Sequence, residues 1–123
     1  MGSRAVPQDL IANLEALLAK GSDAPSLRFA LATRYLAAGN AAAAVRHAEA
    51  AVALDATYSA GWKLLGQARA ASGDRLGAAD AFRRGIDIAD ARGDQQAAKE
   101  MRVFLRRIEK VKSGTPPDDG TAR

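Results

Sequence analysis

Lys63 and Gln67 stand four residues apart, so on a helix they would project from one face. An ammonium and a primary amide placed like that can hydrogen-bond one carboxylate between them. Catalytic combinations are missing. His47 is the only histidine and cysteine is absent, so no Ser–His or Cys–His pair can be proposed. The lack of thiols also excludes disulfides, iron–sulfur clusters and thiolate zinc sites. Asp80, Asp87, Asp90 and Asp94 have helical spacings but make no Glu-x-x-His metal pattern, and Asp94 serves better as a helix cap. The glycines fall in turns and at helix crossings, outside the phosphate-binding motifs. No acid–base pair or nucleophile emerges. We therefore expect no enzyme, no cofactor and no metal site, with His47 on the outer surface.

The elements that must carry Lys63 and Gln67 are helices. Of 123 residues, 48% are apolar and only 5% aromatic, and alanine dominates the apolar share. Alanine favours helix and lets helices approach closely. No apolar run reaches the length of a membrane span, and the N-terminus has no apolar core of a secretory signal. A cytoplasmic protein is the expectation. The net charge of +4 is unevenly placed: Arg102, Arg106, Arg107, Lys110 and Lys112 crowd the last helical stretch. Such a face either is solvated or attracts an acidic partner or nucleic acid.

Apolar spacing marks six helices. Residues 8–20 form a stripe of Leu10, Ile11, Leu14, Leu17 and Leu18. Gly21 ends it, and Ser22 or Asp23 can cap the next helix. The second runs from Pro25 to about Ala38 with Leu27, Leu31 and Tyr35 on one face. Gly39-Asn40 turns the chain, and the third helix, Ala41 to about Leu54, turns small residues inward. The fourth spans roughly Tyr58 to Ala71 with Trp62, Leu65 and Gly66 inward. Gly73-Asp74 repeats the turn chemistry, and the fifth runs to about Ala91 with Ala78, Phe82 and Ile86 inward. Gly77 and Gly85 lie inside it, each costing up to about 1 kcal/mol against Ala, a cost expected where a neighbouring helix crosses closely. After Gly93-Asp94 the sixth carries Met101, Phe104, Leu105 and Ile108. Residues 113–123 hold two prolines, two glycines and no apolar stripe, and are read as disordered.

Two stretches repeat with a period of 34. Leu31 falls on Leu65, Ala32 on Gly66, Gly39 on Gly73 and Ala44 on Ala78. The second stretch, from Ser59, adds Trp62 at position 4 and Phe82 at position 24. The first, from Pro25, keeps Tyr35 at position 11, where the second has Arg69, buried by its stem or paired with an acid. Neither carries the closing proline. These residues resemble the tetratricopeptide (TPR) repeat. The resemblance implies an all-α, right-handed helical stack (an α-α superhelix). One domain over residues 1–112 would hold two helix–turn–helix units, about 25–58 and 59–92, with capping helices at 8–20 and 94–112. A third unit counted from Gly93 would place Gln96, Lys99, Glu100 and Val103 at the key positions, and they do not match.

The resemblance also implies a groove built from the first helix of each unit. Its positions here are Ser26, Phe29, Thr33 and Leu36, then Ala60, Lys63, Gln67 and Ala70. Lys63 and Gln67 resemble half of a carboxylate clamp, whereas Phe29 and Thr33 replace the Lys and Asn of the other half. Phe29 lies off the apolar stripe, either exposed as an anchor or buried against the N-terminal helix. The expected function is a non-catalytic protein–protein interaction module holding a peptide or helix of an unidentified partner through Phe29, Thr33, Leu36, Lys63, Gln67 and Ala70. The alternatives are self-association as a homodimer through the last helix, or nucleic-acid binding there. The second is disfavoured because no aromatic interrupts the basic face.

Overall fold

The computed structural model describes residues 7–112. Within them the chain forms α1 (Pro7–Ala19), α2 (Pro25–Ala37), α3 (Ala41–Leu54), α4 (Ser59–Ala71), α5 (Arg75–Arg92) and α6 (Gln95–Lys112), and no strand. The tail from 113 onward, read above as disordered, lies outside the described residues. The turns follow from side-chain chemistry. Gly21, Gly39, Gly73 and Gly93 adopt φ of 93°, 83°, 90° and 77°, the left-handed region where a Cβ is penalised. The carboxyl or amide oxygen of the next residue then caps the following helix. Asn40 accepts from Ala43 N at 3.1 Å, Asp74 from Gly77 N at 2.9 Å and Asp94 from Ala97 N at 3.2 Å. The start of α2 differs from expectation: neither Ser22 nor Asp23 caps it. Ala24 is the N-cap residue, with no side-chain bond, while the Asp23 carboxylate is drawn to Arg28 through bonds of 2.8 and 2.9 Å. Where the closing proline is missing, Asp55 holds the α3–α4 turn by accepting from both Thr57 N and Thr57 Oγ1.

Each helix packs on its neighbours in the chain. Among alternate helices only α2 with α4 and α4 with α6 also bring their backbones close together; α1 with α3 and α3 with α5 do not. A curved stack brings elements together on its inner side and spreads them on its outer side. The contacts therefore put α2, α4 and α6 on the inner side. One core cluster joins Ala32, Ala48, Val52, Leu64, Leu65 and Ala81; a second joins Ala78, Phe82, Ile86, Ala89, Ala98 and Met101. Burying Leu65, Phe82 or Met101 stabilises the fold by roughly 1.5–3 kcal/mol each.

Small residues set the crossings. A Cβ on Gly66 would stand 2.6 Å from the Phe82 ring, so α4 and α5 can meet there only over a glycine. Gly85 likewise lies under Met101 and the Trp62 Cβ. Gly77 does not fit that expectation. Its missing Cβ would strike the Asp74 side chain, so this glycine makes room for the cap of its own helix. Arg69, left open above, pairs with Glu49 at 3.1 Å and donates to Gly77 O at 3.0 Å. His47 corrects another expectation: it is 6% exposed, a buried residue of α3 rather than a surface one.

The last helix also departs from the sequence reading. From Pro25 to Ser59 the offset is 34 residues, but from Ser59 to Gln95 it is 36. The reason is local: α5 has 18 residues against 14 in α3, partly offset by a shorter connection. With that offset Met101 takes the place of Leu65 and is fully buried against Gly85. A fixed period of 34 hides the match. α6 packs as a further first helix, on the preceding second helix.

Candidate functional site

The six residues expected to bind all lie on the inner helices, Phe29, Thr33 and Leu36 on α2 and Lys63, Gln67 and Ala70 on α4. Thr33 and Ala70 are exposed; the other four are half-buried. Phe29 and Leu36 rest against the first core cluster. Phe29 falls between its two expected fates: it is half-buried, packed on the first core cluster. Its ring packs on Tyr58, just ahead of α4, with centroids 5.4 Å apart and planes tilted by 53°. The pair makes an aromatic surface bridging α2 and α4. Thr33 turns its hydroxyl back to Phe29 O at 2.8 Å, the usual helical resting place of an unengaged threonine.

Lys63 is not free. Its ammonium bonds Glu100 of α6 at 2.5 Å, and Gln96 donates to the other Glu100 oxygen at 3.0 Å. Lys63, followed by Gln96, holds the Glu100 carboxyl below its ordinary value. Gln67 has no part in this contact. The pairing of Lys63 and Gln67 around one incoming carboxylate, expected from their spacing, is therefore pre-empted: the chain supplies its own carboxylate. The 36-residue offset puts Glu100 at the place of Leu64, which lies in the core cluster beside Phe29. An apolar contact at one inner joint is replaced by an ion pair at the next.

Sequence reasoning missed α6 as part of this side. By the same offset Lys99, Val103 and Arg106 fall where α4 has Lys63, Gln67 and Ala70. All three are exposed, and Lys99 and Arg106 help to line an open depression with Gln95, Gln96, Arg102 and Asp90. Arg102 stands where Gly66 lets Phe82 approach, and it is tied to Asp90 at 2.6 Å. A charged side chain at that crossing point ends the stack with a polar face. The missed signal was available: Ala98, Met101 and Leu105 keep the inward spacing if the repeat length is allowed to stretch.

A stack of paired helices with an open inner side and glycine-set crossings defines a helical-repeat scaffold. Comparison with known proteins makes this specific. A TPR repeat-containing protein of Pseudomonas aeruginosa is 49% identical over 104 residues, which span 85% of this chain and 99% of that protein. The chain belongs to the tetratricopeptide repeat family, a family of protein-interaction folds in general. A Bordetella parapertussis protein known from a solution structure shares 41% identity with a TM-score of 0.73, over 90% of this chain and 93% of that one. The Sgt2 TPR domain from Aspergillus fumigatus shares 26% identity and a TM-score of 0.71, over 94% and 78% of the two chains. A heat-shock protein cognate co-chaperone of the same fungus is 33% identical over 86 residues, but the match spans only 25% of it. No protein-family profile matches the chain. Among the described residues no helix is long and apolar enough to cross a membrane.

Proposed function

We propose that the inner side of α2, α4 and α6 holds a segment of another protein, as a non-catalytic, cytoplasmic interaction module without a cofactor. The observation that supports this best is the Phe29–Tyr58 surface. It is half-exposed on the side where alternate helices touch, on the helices that also carry Thr33, Leu36, Gln67 and Ala70. A half-exposed aromatic patch on a rigid frame is the composition of a binding hot spot. The family membership and the co-chaperone TPR domain among its structural neighbours fit that reading. α6 extends the surface from aromatic at α2 to cationic at Lys99 and Arg106.

The test blocks the surface without touching the core. Thr33→Arg with Ala70→Arg adds bulk at two exposed positions, and Arg75→Ala, on α5 rather than on an inner helix, serves as a control. Partners captured from source-cell extract by the native protein should be lost with the double variant and kept with the control. Circular dichroism should show equal helix content in all three. Partners that persist on the blocked protein would place binding elsewhere.

A further inference from the structure

The acids of α6 fasten it to the stack and leave its cations facing out. Glu100 is taken by Lys63 of α4, and Glu109 by Arg83 of α5 at 2.7 Å. No other carboxylate stands on this helix. The apolar face is turned to the core: Ala98 and Met101 are fully buried, and Phe104 stacks on Phe82 with centroids 5.4 Å apart.

A polar stripe remains on the outside. Gln95, Lys99, Arg102 and Arg106 recur at every third or fourth position, which places them on one side of a helix. With Gln96 and Asp90 they line the open depression described above. Arg102 is neutralised by Asp90. Lys99 and Arg106 are exposed, and among the described residues no carboxylate pairs with either. Val103 is exposed between them, one turn from each. The stripe therefore offers two uncompensated cations about 10 Å apart along the helix, with an apolar contact between them.

Such a stripe does not help the chain to fold. Lys99 and Arg106 each lie one turn from Arg102, and like charges at that spacing destabilise a helix. Only Asp90 offsets the repulsion, and an incoming carboxylate would relieve the rest.

We infer that this stripe binds an acidic segment of the partner protein, with side-chain carboxylates on Lys99 and Arg106 and an apolar side chain between them on Val103. The inference rests on the function proposed above and deepens it, since α6 shares the inner side with α2 and α4. Carboxylates three residues apart in an extended segment, or seven apart in a helix, match the spacing of the two cations. Charge alone would also draw nucleic acid. The surface favours protein, because Phe104 is the one aromatic of α6 and its ring lies against Phe82, so the basic side offers no platform for a base. Val103 adds a contact that a phosphate row cannot use.

The probe is a terminally blocked peptide in which one leucine stands between two Glu-Glu pairs, with its glutamine twin as control. Nuclear magnetic resonance titration of the whole chain at low salt reads both the affinity and the amides that move. The acidic peptide should shift α6 amides from Lys99 to Arg106 and bind on the order of tenfold more tightly than its twin, as two or three exposed ion pairs allow. Added salt should narrow the gap. Lys99→Gln with Arg106→Gln should reduce the acidic peptide to the affinity of the twin. Arg46→Gln with Arg75→Gln removes the same charge from exposed positions on α3 and α5 and should leave its binding within about twofold.

Equal affinity of the two peptides for the native chain overturns the inference, and that comparison stands even if a variant fails to fold. An equal loss in both double variants overturns it too, because net charge alone would then explain binding. So does a single-stranded oligothymidylate that binds more tightly than the acidic peptide and depends on Lys99 and Arg106, which would assign the stripe to nucleic acid. The aromatic surface is judged separately: partners that persist on the Thr33→Arg, Ala70→Arg protein count against that surface, whereas failure of the acidic peptide on the native chain counts against this inference alone.

Discussion

The Lys63 ammonium and the Glu100 carboxylate meet at 2.5 Å, joining α4 to α6 across the inner side of the stack. The two residues are 37 apart in sequence, and one belongs to the last helix. Lys63 therefore fastens the end helix to the repeat before it. A ligand carboxylate reaching Lys63 competes with one already in place.

That pair is half-exposed, so its share of stability is small. Lys63→Ala should keep the native helix content and lower the melting temperature by less than about 4 °C. Raising the salt concentration should shrink the difference further. A loss several times larger, measured by thermal circular dichroism, would mean that α6 depends on the pair rather than on Met101 and Phe104.

Gly66 should not tolerate a methyl group. Its Cβ would fall 2.6–2.7 Å from three atoms of the Phe82 ring, which is fully buried and cannot swing away. Gly66→Ala should cost about 1–3 kcal/mol as overpacking, although alanine favours helix. Urea denaturation measures it. Equal or greater stability would show that α4 and α5 can separate there.

Trp62→Ala should cost about 3 kcal/mol. The indole is half-buried against the first core cluster, donates Nε1–H to Ala56 O at 2.8 Å and lies under the Arg84 guanidinium at 5.5 Å. Its truncation removes that packing and frees the α3–α4 turn. Chemical denaturation reads the loss, and an unchanged midpoint would remove Trp62 from the core.

The caps give a finer prediction. Asn40→Ala and Asp74→Ala each remove the acceptor for a first-turn amide, of Ala43 and of Gly77. Each should cost about 1 kcal/mol, and the two should add, since they cap different helices. A double-variant melting series checks both statements.

The helices were legible because their signals are local. Apolar spacing, Gly-Asn and Gly-Asp turns and first-turn caps act within one or two turns of chain, and the helix boundaries agree with them to a residue or two. The 34-residue match of Leu31 with Leu65 and Ala32 with Gly66 carried the family. The role of α6 was hidden because four extra residues in α5 and a shorter connection move its inward positions by two. A period is a property of spacing, whereas burial of Met101 is decided by where α5 ends.

By itself, then, the sequence determined the helices, their order, the small residues at their crossings and the family. Tertiary structure decided what each polar side chain faces. Asp23 could cap α2 or bind Arg28, and a bidentate ion pair within reach wins over a single amide bond. Lys63 could take a ligand or Glu100, and an intramolecular carboxylate is always at hand. His47 could face solvent or the core, and stacking on Tyr35 between Arg28 and Glu15 satisfies both ring nitrogens inside. These choices depend on partners 5 to 37 residues away, which the backbone brings together only once the helices have stacked.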